Sequence, residues 1–140
     1  MTEMVGRWRL ERRDNNFDEF LVCREVGWFL RKLMTTTQAD IEYKLSPCQG
    51  TFTKVTSASL GRTTVYDMPT EGEFCPAKTL SGRPEIGRIF ETSGGNLVQE
   101  MTFQETGDTA ATIKHKLEDG KLIIDMQCRD ITCRSVYTKL

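Results

Sequence analysis

The chain is poor in the residues that build metal centres and nucleophilic active sites. It contains one histidine, His115, and five cysteines, no two of which are separated by only two residues. An odd number of scattered cysteines does not suggest a disulfide framework, so we expect all five thiols to be reduced and to act as small core residues. No Gly-rich phosphate loop and no Ser-His-Asp or Cys-His arrangement is present. These absences predict a protein that is not an enzyme and holds no metal or cofactor.

The chain also lacks long apolar runs and an excess of charge. The formal net charge is −1, so no positive field would recruit nucleic acid. No stretch approaches the roughly 18 apolar residues of a membrane span. The N-terminus shows no basic segment followed by an apolar run, which predicts that the protein stays in the cytoplasm. We expect residues 1–140 to form one domain with a core of its own.

Helical patterning is confined to the N-terminal part of the chain. A short strand is predicted over 6–11, followed by a helix over 17–23 for which Asn16 is a suitable N-cap. Gly27 interrupts the pattern, and a second short helix is predicted over 28–34. Everything after these helices has the alternation of short strands.

The rest of the chain predicts an antiparallel meander. The dipeptide Asp119-Gly120 between two alternating runs is a strong hairpin signal, because this turn needs positive φ angles. A meander of about ten strands must close to remove its exposed edges, and a barrel of that size encloses a ligand cavity. The predicted later strands cover residues 41–45, 51–55, 63–66, 72–76, 86–91, 96–103, 109–117, 121–128 and 131–140.

Two groups of segments resemble the intracellular lipid-binding proteins, which comprise the fatty acid-binding and cellular retinoid-binding proteins. The N-terminal group is Gly6-Arg7-Trp8-Arg9-Leu10, Asn16-Phe17-Asp18-Glu19-Phe20-Leu21 and Glu25-Val26-Gly27. The C-terminal group is Ile113-Lys114-His115-Lys116, Glu118-Asp119-Gly120-Lys121-Leu122 and Cys133-Arg134-Ser135-Val136-Tyr137. The resemblance implies a mainly β fold: a ten-stranded antiparallel up-and-down β-barrel, a lipocalin-like clam with a helix-turn-helix lid. One extra residue between Leu10 and Asn16 predicts a bulge or a longer turn in this chain.

The resemblance also implies where a head group would lie. Many fatty acid-binding proteins hold the carboxylate with two inward arginines and a tyrosine. The tyrosine matches Tyr137, whereas the arginine positions fall on Ser135 and His115, so a deep carboxylate is expected to lack a permanent cationic partner. Arg83 matches an arginine near the portal and is a second candidate for the carboxylate.

The candidate site residues follow from alternation and from the resemblance. Inward faces are assigned to residues such as Leu117, Ile124 and Phe103, with lysines and glutamates outside. The second helix either packs on the barrel rim or contacts membranes during ligand transfer. The expected ligand-binding residues are His115, Ser135, Tyr137, Arg83, Gln99 and Met126, and the expected portal and lid residues are Trp28, Phe29, Arg31, Lys32 and Leu60.

Three functions remain open at this point. The resemblance favours a monomeric, non-covalent carrier of a long-chain fatty acid or a similar single-tail lipid. The neutral residues Ser135 and His115 favour a retinoid or another neutral lipid instead. A protein-interaction module without a physiological ligand is the alternative of another class. Expected partners are therefore the lipid, a membrane touched through the lid and a nuclear receptor, which would add the nucleus to the cytoplasm as a location.

Overall fold

The protein is described by a computed structural model over residues 2–45, 51–58, 63–69, 72–77 and 82–140. A 3-10 turn (Thr2–Met4) precedes strand β1 (Gly6–Arg13), and two helices follow, α1 (Phe17–Cys23) and α2 (Trp28–Thr36). The remaining strands are β2 (Ala39–Leu45), β3 (Thr51–Ala58), β4 (Thr63–Pro69), β5 (Cys75–Ala77), β6 (Glu85–Glu91), β7 (Leu97–Phe103), β8 (Thr109–Glu118), β9 (Lys121–Cys128) and β10 (Ile131–Lys139).

The strands form one antiparallel sheet of ten in the order β4-β3-β2-β1-β10-β9-β8-β7-β6-β5. Neighbours in the sheet are neighbours in sequence, except that β1 pairs with β10 and so joins the two ends of the chain. Strand β4 also comes close to β6, so the sheet curls into a barrel. The predicted up-and-down barrel with a helical pair near the N-terminus is confirmed.

Alternation places the inward residues as expected. Ser135, Ile124 and His115 lie side by side in one row across β10, β9 and β8. Trp8 and Tyr43 belong to one cluster of buried apolar side chains in this interior, and Met101 belongs to another. The hairpin between β8 and β9 also forms as predicted, with φ angles of 53° at Asp119 and 75° at Gly120.

Strand β1 contains a bulge, which is one of the two outcomes that the extra residue before Asn16 predicted. Leu10 is opposite Tyr137, whereas Arg12, not Glu11, is opposite the next residue of β10, Val136. One residue is therefore extra in β1, and the strand runs two residues beyond its predicted end. The bulge shifts the alternation by one, so that Arg13 lies opposite the inward residue Ser135.

The prediction that the Asn16 side chain caps α1 is wrong. Asn16 occupies the N-cap position, but its amide donates a 2.7 Å hydrogen bond to the carbonyl of Thr132 on β10. The amide thus fastens the start of the helix to the barrel. Phe17, Phe20 and Leu21 are buried beneath α1.

Helix α2 lies more openly than α1 and has no buried residue. Trp28 is 64% exposed and Phe29 is 70% exposed, so packing on the rim does not account for these two side chains. Leu30 and Met34 are partly buried and pack against the cluster under α1. No helix within the described ranges is long and apolar enough to cross a membrane.

The prediction that all five cysteines are reduced is also wrong. Cys23, the last residue of α1, is joined by a disulfide to Cys128, the last residue of β9, with 6.2 Å between their Cα atoms. The folded chain brings together two residues that are 105 positions apart, which no spacing rule detects. Cys75 and Cys133 are free, and Cys48 lies outside the described residues.

Candidate functional site

The candidate site is built around two buried hydroxyl groups on the inward face of β10. Ser135 is 1% exposed and Tyr137 is 4% exposed. Arg13 donates from Nε to the Ser135 hydroxyl at 3.1 Å and from Nη2 to the Tyr137 hydroxyl at 3.4 Å. Burial raises the pKa of Tyr137, an effect that Arg13 partly opposes, so this hydroxyl keeps its proton at neutral pH.

Arg13 was not among the predicted site residues, and it places a cation beside Ser135 and Tyr137, where the sequence analysis expected none. Without a bulge, strict alternation from Trp8 and Leu10 would turn Arg13 outward. The extra residue in β1 turns it inward, where its guanidinium lies 3.8 Å from the centre of the Phe17 ring. The extra residue between Leu10 and Asn16 was the signal that could have identified Arg13.

His115 is completely buried and bonded across the barrel interior. Its Nδ1 lies 2.7 Å from the hydroxyl of Tyr43, and the two rings meet edge to face. Tyr43 stands on β2, which three strands, β1, β10 and β9, separate from β8 in the sheet. Burial, with a smaller contribution from Tyr137, raises the pKa of Tyr43 well above its ordinary value, so the Tyr43 hydroxyl stays protonated. The predicted inward position of His115 is confirmed, and Tyr43 is its partner.

Gln99 adds a buried acceptor to the interior. It is 3% exposed, and its amide nitrogen lies 3.5 Å from the sulfur of Met101. Its Oε1 accepts no hydrogen bond from any residue that the structure describes. A buried acceptor of this kind is normally satisfied by water or by a ligand hydroxyl. Met126 is partly buried and packs between the interior cluster and the cluster under α1.

Arg83 lies at the lid, as the portal assignment expects, and is already engaged there. Its Nη1 donates to a carboxylate oxygen of Glu25 at 2.9 Å, and its guanidinium stacks 3.8 Å from the centre of the Phe103 ring. Glu25 sits in the turn between α1 and α2. Arg83 therefore fastens the lid to the barrel, and a ligand carboxylate there would compete with Glu25.

Three of the five predicted portal and lid residues line a cleft. A cleft of about 490 Å³ separates α2 from the end of β1 and is lined by Trp28, Arg31 and Lys32 as well as by the inward residues Leu10 and Arg13. Arg31 is held by Asp18 at 3.2 Å, and the Lys32 ammonium lies 5.9 Å from the Trp28 ring centre. Phe29 is exposed and is not among the residues that line this cleft, and Leu60 lies outside the described residues.

The site thus combines a donor-rich polar group with an apolar barrel interior beneath a two-helix lid. No group of three or more histidine, cysteine, aspartate or glutamate side chains in the described part of the chain could hold a metal ion. The fold and this lining define a barrel protein of the kind that encloses a small apolar molecule.

Comparison with known proteins agrees with this class. Human fatty acid-binding protein 5 is 31% identical over 138 residues, which cover 99% of this chain and 96% of the relative. Mouse cellular retinoic acid-binding protein 2 is 26% identical over 140 residues and 99% of both chains. The chain belongs to the intracellular lipid-binding protein family. No protein-family model matches it.

Solved structures show the same fold. A Schistosoma mansoni fatty acid binding protein in complex with arachidonic acid superimposes with a TM-score of 0.86 at 19% identity, covering 100% of this chain and 98% of the other. The apo form of Caenorhabditis elegans lipid binding protein 8 gives a TM-score of 0.87 at 23% identity, covering 100% and 97%. These similarities confirm the barrel with its helical lid.

Proposed function

We propose that this protein is a non-covalent carrier of a long-chain fatty acid or a similar single-tail lipid, bound inside the barrel, and that it catalyses no reaction. One observation carries the proposal: polar side chains from several strands are buried on the inward face of a barrel whose interior is otherwise apolar. Ser135, Tyr137, His115 and Gln99 are each less than 5% exposed and all lie on the inward face. A filled core would place apolar residues there, whereas a lipid site needs a few polar groups to orient a head group.

The affinity would come mainly from the tail. Each methylene that leaves water contributes about 0.8 kcal/mol before the costs of association. The curated relatives are named for fatty acids and for retinoic acid, which supports an acidic head group. A retinoid or another neutral lipid is the second candidate, favoured by the uncharged side chains of Ser135 and Gln99, which suit an alcohol.

Binding experiments with delipidated protein distinguish a fatty acid carrier from a carrier of neutral lipids. We expect a long-chain fatty acid to displace a fluorescent neutral probe from the barrel with a stoichiometry of one, and native mass spectrometry of freshly purified protein to show one retained lipid. Preference for retinol over every fatty acid would establish the second candidate. A protein that binds neither probe nor lipid would be an interaction module, and the carrier proposal would be rejected.

The lid supports a proposal for ligand delivery. Trp28 and Phe29 are exposed at the start of α2, and Lys32 follows on the same helix. Apolar rings beside a lysine suit the surface of an anionic membrane, where the rings enter the interface and the ammonium meets the phosphates. We place the protein in the cytoplasm, where it would collect its ligand at membranes. Delivery to a nuclear receptor would extend the location to the nucleus.

A further inference from the structure

We propose that Arg13 binds the carboxylate of the ligand and makes the site selective for acids over the matching alcohols. The inference rests on the proposed carrier function and names the head group that the site selects. In this chain the cation comes from the bulged first strand, and Ser135 and His115, at the positions that the resemblance assigns to arginines, carry no permanent charge.

The register of β1 places the Arg13 guanidinium in space that a long side chain at position 135 would fill. Arg13 lies directly opposite Ser135, and its guanidinium lies over the short serine side chain to reach Tyr137. A long side chain at 135 would occupy the same space. The serine therefore makes room for an arginine that enters from the neighbouring strand.

After these hydrogen bonds are made, Arg13, Ser135 and Tyr137 have only hydrogen-bond donors left to offer a ligand. Arg13 carries five N–H donors, of which one goes to Ser135 and one to Tyr137 among the described residues. Because both hydroxyl oxygens accept from Arg13, each hydroxyl directs its own proton elsewhere. The remaining guanidinium N–H groups and the two O–H groups are all donors, which is the chemistry that recognises a carboxylate.

Among the residues that the structure describes, none neutralises the positive charge of Arg13. No carboxylate within the described ranges lies at ion-pair distance from its guanidinium. Asp14, the next residue, accepts instead from the backbone N–H of Arg134 at 2.9 Å. The ring of Phe17 covers one face of the guanidinium. A partly buried cation held by neutral groups favours a bound anion, which supplies the missing charge.

The site is also reachable from outside. Arg13 and Leu10 line the cleft under α2, so the guanidinium borders both the barrel interior and the opening beside the lid. A fatty acid could place its carboxylate on Arg13 and its tail among the apolar side chains around Trp8. The head group would then lie near the cleft at the end of β1, and the tail would lie deeper in the barrel.

The test compares oleic acid with oleyl alcohol on the delipidated full chain. We expect Arg13→Gln to weaken oleic acid binding about tenfold or more and to change oleyl alcohol binding by less than about twofold. Arg12→Gln is the matched control, because Arg12 is the adjacent arginine on the outward face and is exposed. It should leave both affinities unchanged.

A second variant separates loss of charge from damage to the barrel. In Arg13→Gln/Ser135→Arg the cation returns from the neighbouring strand, and we expect acid binding to recover while Arg13→Gln alone stays weak. Recovery would show that the charge at this point, and not the shape of β1, selects the acid. An unchanged preference for acid over alcohol in Arg13→Gln would overturn the inference, even though both lipids bind.

The unmodified protein offers a measurement that needs no variant. With carboxyl-¹³C oleic acid bound, NMR should show the carboxyl group titrating below the range of a carboxylic acid in water, because a nearby cation favours its ionised form. Titration above that range would reject Arg13 as its partner. Failure of both oleic acid and oleyl alcohol to bind would instead reject the carrier function itself.

Discussion

Arg24 and Glu85 form a two-pronged ion pair that joins the lid to the barrel. The two guanidinium nitrogens of Arg24, at the end of α1, lie 3.3 Å and 3.0 Å from the two carboxylate oxygens of Glu85, the first residue of β6. The Glu85 side chain is 0% exposed and the Arg24 side chain 15% exposed. The pair is therefore shielded from water, and each charge depends on the other.

Removal of Arg24 should be costly, because it leaves a buried carboxylate without its partner. We expect Arg24→Met to lower the free energy of unfolding by about 3–5 kcal/mol, measured by urea denaturation. The double variant Arg24→Met/Glu85→Met should recover most of this loss, since it leaves no unpaired charge behind.

Arg134 provides the control that shows how much of the expected loss in Arg24→Met is due to burial of the ion pair. It makes an ion pair of the same two-pronged form with Asp125, at 2.7 Å and 3.0 Å, but on the outer face of the barrel. We expect Arg134→Met to cost less than about 1 kcal/mol, because water screens exposed pairs. If Arg24→Met and Arg134→Met lower the free energy of unfolding by similar small amounts, burial does not strengthen the dependence of Glu85 on Arg24.

The stability of the protein should fall in alkali. Burial raises the pKa of Tyr43 and of Tyr137, and raises the pKa of Cys133 to about 11. The folded state therefore keeps protons that the unfolded state releases, first from the thiol and, above about pH 10, from the tyrosines. The contribution of these groups is complete below the ordinary pKa values and declines as the pH rises through and beyond them.

Urea unfolding across this range measures the effect. We expect a lower free energy of unfolding at about pH 10.5 than at about pH 7.5, and a shallower decline in Tyr43→Phe and in Cys133→Ala. Absorbance of tyrosinate should show Tyr43 and Tyr137 resisting ionisation until the protein unfolds. If the free energy of unfolding stays constant up to about pH 10.5, the tyrosines and Cys133 titrate alike in the folded and unfolded states.

Trp28 and Phe29 should govern the rate of ligand transfer to membranes. We expect the double variant Trp28→Ala/Phe29→Ala to slow transfer of a fluorescent fatty acid to anionic vesicles, because these exposed rings are available to enter the interface. Unfolding should change by no more than about 0.5 kcal/mol, as is usual for surface positions. Stopped-flow fluorescence measures the transfer rate.

Leu140 is the matched control for this experiment. It is 53% exposed and apolar, and its backbone bonds to Arg7 near the start of β1, at the end of the barrel away from the lid. Leu140→Ala should leave the transfer rate unchanged. If Leu140→Ala slows ligand transfer as much as Trp28→Ala/Phe29→Ala does, exposed apolar surface promotes transfer wherever it lies on the barrel.

Much of the barrel could be predicted because alternation is a local signal. The helix over 17–23 and the strand over 121–128 have their predicted bounds, and the inward row containing His115 follows from the period of two. Ile123 and Val136 are exceptions: they face outward yet are 7% and 2% exposed. They pair with each other across β9 and β10, so each covers the other in a way that period alone does not reveal.

The site was harder to predict because its main contacts join distant residues. Tyr137 and Ser135 were found from the resemblance, but Arg13 required the position of the bulge as well as its existence. The pairs Arg24–Glu85 and Cys23–Cys128 depend on how α1 lies over the barrel. Neither pair leaves a signal in the local sequence, since each partner alone is an ordinary surface or core residue.

The end of α1 has a consequence for how quickly a ligand is exchanged. The three consecutive residues Cys23, Arg24 and Glu25 are each tied to the barrel, by a disulfide and two ion pairs. Helix α2, which has no buried residue, is the part of the lid that can yield with the least loss of contact. Residence time would then be set at α2 and head-group preference at β1, so that selection could alter one without disturbing the other.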